Sequence, residues 1–350
     1  MHVDKRYYNK DKLFSYRAYM MFSISERGLG KTTCAKMWCV DDFKKTGHRF
    51  AWVRRYNTEL TGDKKLKIEG CVKDFFKKIK KWYPDDTFEI KGNHAYINGK
   101  DAGVFLALST SQNMKSVDFP DINKIIFDEF IIKVNKALTY LSDEVELFLD
   151  LMSTIFRPME NNEEEGTRRD RVWLMANAIT FANPYFYFFG IKPFPITQQF
   201  SQDRKRGIVV EQCKNEVYRE AVRKTQFGKL IKGTKYEKYA INNEFLLDNN
   251  DFIGKKSPDA ELQFNVKYDG QVWGIYADAY NVYVSFKTDP NRPCMTFTNK
   301  DHSLNTLLLK NIRNTRFEML IKNYQLGFVK CENILIKNKF VEFMRLFVSK

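Results

Sequence analysis

The chain has 350 residues, enough for a large domain and a smaller one behind it. Apolar residues make up 43% and charged residues 29%, a globular composition that excludes a disordered chain. Lys and Arg total 58 against 43 Asp and Glu. Residues 1–207 carry 35 bases and 27 acids (+8) and residues 208–350 carry 23 and 16 (+7), so the excess is a spread field and not a tail. Such a field favours a polyanion partner, nucleic acid before a membrane surface.

No run reaches the ~18 consecutive apolar residues of a membrane span. The start, MHVDKRYYNKDK, is too polar for a signal peptide. The six cysteines form no CxxC and the four histidines are scattered, so neither a zinc site nor a disulfide framework is expected, and a reducing cytoplasm is the default.

In chain order, the run 19–24 (YMMFSI) predicts a buried strand, followed by a glycine-containing loop at 25–30 and an amphipathic helix from Lys31 to about Lys45. RFAWV at 49–53 is a second strand. Residues 61–82 hold eight lysines and three acids and predict a helix from about Ile68 to Trp82, closed by Pro84. A hairpin is expected at 87–98 around Gly92 and Asn93, then a strand at 103–108 and the apolar run KIIFDEF. A helix at 143–156, an acidic loop and the strand VWLMA at 172–176 complete a βα alternation that predicts a parallel α/β sheet. A basic helix over about 208–226, with Arg219, Arg223 and Lys224, opens a short linker. From 262 to 286 the alternation predicts an antiparallel meander, followed by helices at about 303–326 and 332–348. The expected domains are therefore 1–207, 208–250 and 251–350.

The sharpest local signal is Ser25-Glu26-Arg27-Gly28-Leu29-Gly30-Lys31-Thr32-Thr33, lying after a strand and opening a helix. This is the context of a phosphate-binding P-loop: backbone amides cradle phosphate, Lys31 reaches the β and γ phosphates, and Thr32 ligates Mg²⁺. Only the first position departs from GxxxxGK[ST], with Ser25 in place of Gly. The strand KIIFDEF then delivers two adjacent acids, a Walker B pattern. Asp128 is the candidate metal-holding acid and Glu129 the general base for an attacking water. The paired acids mark ASCE-type NTPases, in which another strand separates the P-loop strand from the Walker B strand. Asn177, at the end of VWLMA, fits a γ-phosphate sensor or a simple turn residue. Arg157, after the 143–156 helix, fits either an arginine finger acting on a neighbouring subunit or a helix C-terminal cation. Candidate DNA contacts are Arg54 and Arg55 with Lys64, Lys65 and Lys67; the alternative is a solvated lysine-rich face.

The runs RGLGKT, RFAWVRRYNTEL, KIIFDEF, LMSTIFR, ANAITFANPYFYFF and RKTQFGKLIKGTKYEKY together resemble the DNA packaging ATPases of phi29-like phages, ring ATPases related to large terminases. The resemblance runs to about residue 250 and thins to YDGQVWGIYAD afterwards. It implies an ATP-driven motor that moves double-stranded DNA through the portal of an empty prohead as a homopentameric ring, in the host cytoplasm and transiently at the portal vertex. It implies Mg²⁺ and ATP, and contact with a structural RNA. It carries Lys31, Thr32, Asp128 and Glu129 onto the family's Walker residues, Arg157 onto its arginine finger, and Lys115 onto a lysine reaching the neighbouring site. Arg27 falls where terminases carry a P-loop arginine. Lys133 is the nearest match to a second trans-acting lysine. The resemblance implies a C-terminal RNase H-like fold without nuclease activity, although Asp248, Asp278 and Asp289 could rebuild a metal site. The rival readings are a terminase with a live nuclease, a helicase-like ATPase, and a non-enzymatic nucleic-acid adaptor.

Overall fold

The computed structural model describes residues 4–63, 68–114, 117–135, 138–157, 170–194, 198–245, 248, 251–297, 306–307 and 314–348. The chain forms two compact units: residues 1–180 with 194–246, and residues 181–193 with 247–350.

The first unit contains α1 (Asp11–Ser15), β1 (Met20–Ser25), α2 (Lys31–Thr46), β2 (Arg49–Arg54), α3 (Asn57–Thr61), β3 (Gly62–Asp63) and β4 (Ile68–Glu69). The hairpin β5 (Phe88–Lys91) and β6 (His94–Ile97) follows, then β7 (Lys100–Ala107), β8 (Ile122–Asp128), α4 (Glu144–Ile155) and β9 (Arg171–Asn177). Its main sheet has nine strands in the order β10-β11-β1-β9-β8-β2-β7-β6-β5, where β10 is Phe200–Asp203 and β11 is Ile208–Gln212. The six strands from β11 to β7 run parallel, and antiparallel pairs close both edges. Every residue of β1 is buried, as a parallel strand covered on both faces requires. The expected ASCE-type arrangement holds, since β9 lies between β1 and β8.

Three expected elements differ. Where a helix is expected over about 303–326, Thr306–Leu307 is a strand and, among the described residues, the helix covers only Thr315–Gln325. The other two departures lie in the first unit. Residues 71–79 form successive turns, with bonds such as Phe75 N to Val72 O and Ile79 N to Phe76 O, ending in a 3₁₀ turn at Lys80–Trp82. The neighbours Phe75 and Phe76 are both buried. Phe75 packs against Phe50, Trp52 and Phe105, and Phe76 stacks on Phe88. Burying each stabilises by about 1.5–3 kcal/mol and holds the lysine-rich segment without a regular helix. The helix expected from 208 begins instead as β11, paired parallel to β1, and only Glu216–Lys224 is helical (α6). Short helices α7 (Gln226–Leu230) and α8 (Lys235–Ala240) follow. The linker's first strand is thus part of the main sheet.

The second unit carries α5 (Pro184–Phe188), β12 (Glu261–Tyr268), β13 (Gln271–Ala277), β14 (Val282–Ser285), β15 (Cys294–Phe297), β16 (Thr306–Leu307), α9 (Thr315–Gln325), β17 (Val329–Cys331) and α10 (Ile334–Val348). The sheet order is β16-β15-β12-β13-β14-β17. The antiparallel meander β12-β13-β14, with β15 parallel to β12 and β16 parallel to β15, is the strand arrangement of an RNase H-like fold. Trp273, Phe297, Phe317, Phe340 and Phe343 fill its core.

Candidate functional site

The register of the parallel strands assembles the site at the carboxyl ends of the central strands β1, β9 and β8. Ser25 at the end of β1 pairs with Asn177 at the end of β9, and Met175 of β9 pairs with Asp128 at the end of β8. Loops at the carboxyl ends of such strands are where α/β sheets bind ligands.

From Ser25 the chain turns through Gly28 and Gly30, at φ +86° and +100°, into the 16-residue helix α2. A side chain at Gly28 would fail twice: its φ is left-handed, and a Cβ would lie 2.5 Å from the Tyr218 hydroxyl. The amides of the loop and of the first turn of α2, including those of Thr32 and Thr33, lie at a helix N-terminus, a setting that suits an anion. Lys31 is buried and donates to Ser25 Oγ, whose own hydroxyl bonds the Glu26 carbonyl at 2.8 Å. Burial pulls the Lys31 pKa down, against the pull of nearby acids. Ser25 is therefore the resting partner of Lys31, a role glycine could not fill.

Thr32 Oγ1 lies 3.2 and 3.4 Å from the two Asp128 carboxylate oxygens. Burial pushes the Asp128 pKa up, and Arg54 pulls it back. Glu129 follows at φ +66°, with its amide donating to Met175 O at 2.8 Å. A non-glycine residue held there stores about 1–3 kcal/mol of strain, a condition that clusters at functional sites. The turn leaves the Glu129 side chain 52% exposed at the site mouth.

Two sequence expectations are corrected. Arg54, expected on DNA, faces this site: its guanidinium lies 2.7 Å from Glu129, 3.2 Å from Glu59 and 3.4 Å from Asp128. Burial opposes its charge, and the three carboxylates outweigh burial and raise its pKa. Arg55, also expected on DNA, has a fully buried side chain. Its Nε and Nη2 reach the two Glu144 oxygens at 2.7 and 2.8 Å, and its remaining donors hold the carbonyls of Glu129 (3.2 Å) and Phe130 (2.8 Å). Buried and held by four hydrogen bonds, it is not open to a phosphate backbone; it braces the Glu129 turn.

Asn177 is half-buried beside Ser25, while Arg157 is exposed two residues beyond α4 and Lys133 is exposed in the loop after Glu129. Lys64, Lys65, Lys67 and Lys115 lie outside the described residues.

Nothing in the sequence pattern supplies a partner for Glu26. It is fully buried and accepts from Arg219 Nε at 3.0 Å. A cavity of 290 Å³ adjoins the loop, lined by Tyr7, Tyr8, Leu29, Gln199, Glu211 and Asn215.

The acids considered for a nuclease are each engaged in hydrogen bonds to backbone amides. Asp278 accepts from the Tyr280 and Asn281 amides (2.8 and 2.7 Å) and from the Tyr283 hydroxyl (2.9 Å), and the first of these bonds leads in lowering its pKa. Asp289 caps the Asn291 amide and Asp248 the Phe181 amide. Among the described residues, no group of three or more His, Cys, Asp or Glu is placed to hold a metal ion.

The model of the podovirus DNA encapsidation protein (Gp16) family matches residues 3–348. The chain is similar to the DNA packaging protein of Bacillus phage phi29, with 32% identity over 343 residues, 97% of each chain. Among solved structures it is similar to the phi29 viral genome packaging motor assembly (31% identity, TM-score 0.74, 97% of this chain and 99% of that one). It is also similar to the N-terminal domain of the phi29 DNA packaging ATPase (33% identity, TM-score 0.51, 60% of this chain and 97% of that one).

Proposed function

The chain belongs to the podovirus DNA encapsidation protein family, and from that premise we propose that it is an ATP-driven motor packaging double-stranded DNA into a prohead through the portal. The observation that carries the reading is the convergence of Lys31, Thr32, Asp128 and Glu129 at the carboxyl ends of the central strands.

ATP is the substrate. Its phosphates enter the amide cradle, and Lys31 exchanges Ser25 for phosphate oxygen. The cavity beside Leu29 leaves room for the base. The hard oxygen pair of Thr32 and Asp128 fits Mg²⁺. When bound, the ion neutralises charge on the phosphates. Glu129 orients a water in line with the γ-phosphate and takes its proton as the new P–O bond forms and the bond to the β-phosphate oxygen breaks. Because Arg54 occupies the Glu129 carboxylate, that contact must loosen before the base works. Asn177 is the proposed sensor. Arg157 and Lys115 are proposed to complete a neighbour's site in a ring, taken as a pentamer.

Lys64, Lys65 and Lys67 remain the proposed contacts to DNA phosphates, without Arg54 and Arg55. Residues 1–207 together with β11 supply the ATPase, the rest of 208–250 the linker, and 251–350 an RNase H-like unit without nuclease activity that holds portal-bound nucleic acid or structural RNA. The motor acts in the host cytoplasm at the portal vertex; no helix among the described residues is long and apolar enough to cross a membrane.

The deciding experiment measures ATP binding and hydrolysis in Lys31→Ala and Glu129→Gln. The first should lose binding, and the second should bind ATP and fail to turn it over. Wild-type turnover by Glu129→Gln would overturn the assignment.

A further inference from the structure

A phosphate-binding loop gains from amides and cations, yet this one carries an acid within it. Glu26 is fully buried; one carboxylate oxygen meets Arg219, and the other has no hydrogen-bond partner. Leaving a buried carboxylate half-satisfied is unfavourable, and in a loop built for a triphosphate its charge also repels the ligand. Its ion-pair partner among the described residues comes from far along the chain. Arg219 lies on α6, 12% exposed, and also pairs with Glu216 one turn before it.

The preceding residue of α6 reaches the same loop. The Tyr218 hydroxyl donates to the Arg27 carbonyl at 2.8 Å and fills the space a Gly28 side chain would need. The strand leading into α6 is bound to the strand leading into the loop: Cys213 N donates to Ile24 O, and Asn243 Nδ2 bridges the carbonyls of Ile24 and Cys213 at 3.2 and 3.0 Å. Two consecutive α6 residues thus grip two consecutive loop residues, one by charge and one by hydrogen bond.

We propose that α6 is a latch on the phosphate loop, with Arg219 a positioning residue that cancels the Glu26 charge and so sets the affinity of the loop for triphosphate. This rests on the nucleotide-site reading given above. With α6 seated, the loop presents amides and Lys31 with its acid neutralised. With α6 withdrawn, Glu26 loses its ion pair, draws on the charge of Lys31 that the phosphates need, and affinity falls. By reciprocity, a bound triphosphate holds α6 in place, so nucleotide occupancy is transmitted to the short helices α7 and α8 that follow it.

The test uses the full chain, with equilibrium binding of a fluorescent, slowly hydrolysed ATP analogue in Mg²⁺ and steady-state hydrolysis of ATP. Arg219→Gln should weaken binding about tenfold, within the usual range of coupling between sites, with KM affected more than kcat. Glu26→Gln should bind as tightly as wild type or tighter, because the loop loses its repulsive charge. The double variant Glu26→Gln/Arg219→Gln should recover to within about threefold of wild type, since charge balance is restored. Arg219→Lys should rescue part of the loss.

Binding by Arg219→Gln within twofold of wild type, a double variant as weak as Arg219→Gln, or weaker binding by Glu26→Gln would each overturn the latch. Lys31→Ala, run in parallel, separates the two readings. If it binds the analogue as wild type does, the nucleotide site itself is wrong; if it fails to bind while Arg219→Gln is unchanged, only the latch falls. Should Arg219→Gln not fold, Glu26→Gln still decides.

Discussion

Asp128 and Asp278 are both strand-end acids, and they have opposite fates. Asp128 ends a central parallel strand, is 12% exposed, and meets Thr32 from α2 and Arg54 from β2. Asp278 follows an antiparallel strand and spends both oxygens on its own turn and on Tyr283, five residues away. A carboxylate becomes a functional group when other elements bring it partners and leave it capacity to bind more. When its own turn saturates it, it becomes structural.

The largest expected effect sharpens this contrast. Glu129→Gln should lower hydrolysis at least about 100-fold, the scale of a lost general base, while Asp278→Asn should leave it intact in the same steady-state assay. Loss of turnover in the Asp278 variant would break the comparison. Next in size is the brace behind Glu129. Arg55→Met strands Glu144 in the interior and should destabilise the first unit by about 3–5 kcal/mol, read by denaturant unfolding. Glu144→Gln in the same background should recover part of that loss; additive losses would mean the two side chains act independently.

A smaller effect is expected from the lysine-rich loop. Neutralising Lys64, Lys65 and Lys67 together should flatten the salt dependence of DNA binding, by about 0.9 log unit for each phosphate that is no longer neutralised, equally across sequences. An unchanged slope would remove the loop from the DNA path.

The smallest effect is in pH. The Asp278 pKa is lowered in the folded chain, so its contribution is present above the ordinary aspartate value of about 3.9 and lost as pH falls through the folded value. Glu26 has the opposite sign: burial raises its pKa, so its contribution is present below the ordinary glutamate value of about 4.3 and lost as pH rises through the raised one. Amide exchange at Tyr280 and Asn281 should therefore accelerate, relative to its intrinsic rate, only on acidification. In Asp278→Asn that acid-dependent step should vanish.

The proposed nucleotide site is legible where its chemistry is local in sequence. Gly28 to Thr32 and the pair Asp128-Glu129 each carry their role within a few residues, because a strand, a turn and a helix start fix their geometry. Partners from distant segments were not legible. Arg54 and Arg55 read as a basic pair open to DNA, since nothing near them announces that Glu129 and Glu144, 75 and 89 residues on, will close over them. Arg219 lies 193 residues from Glu26. The fold failed for a related reason at IVVEQ: a short apolar run reads equally as a strand or the start of a helix until its pairing with β1 is seen. At 71–79, lysine spacing suggested a helix, but the burial of Phe75 and Phe76 side by side selected turns.

The left-handed backbone at Glu129 has a consequence for how this sequence can drift. Glycine adopts φ +66° freely, whereas glutamate does so under strain. Selection for thermal robustness alone would therefore push this position toward glycine, and each such step would strengthen the scaffold while disarming it. Laboratory evolution for heat tolerance, run without demand for genome packaging, should find Glu129 among the early losses, because here stability and work pull on the same dihedral in opposite directions.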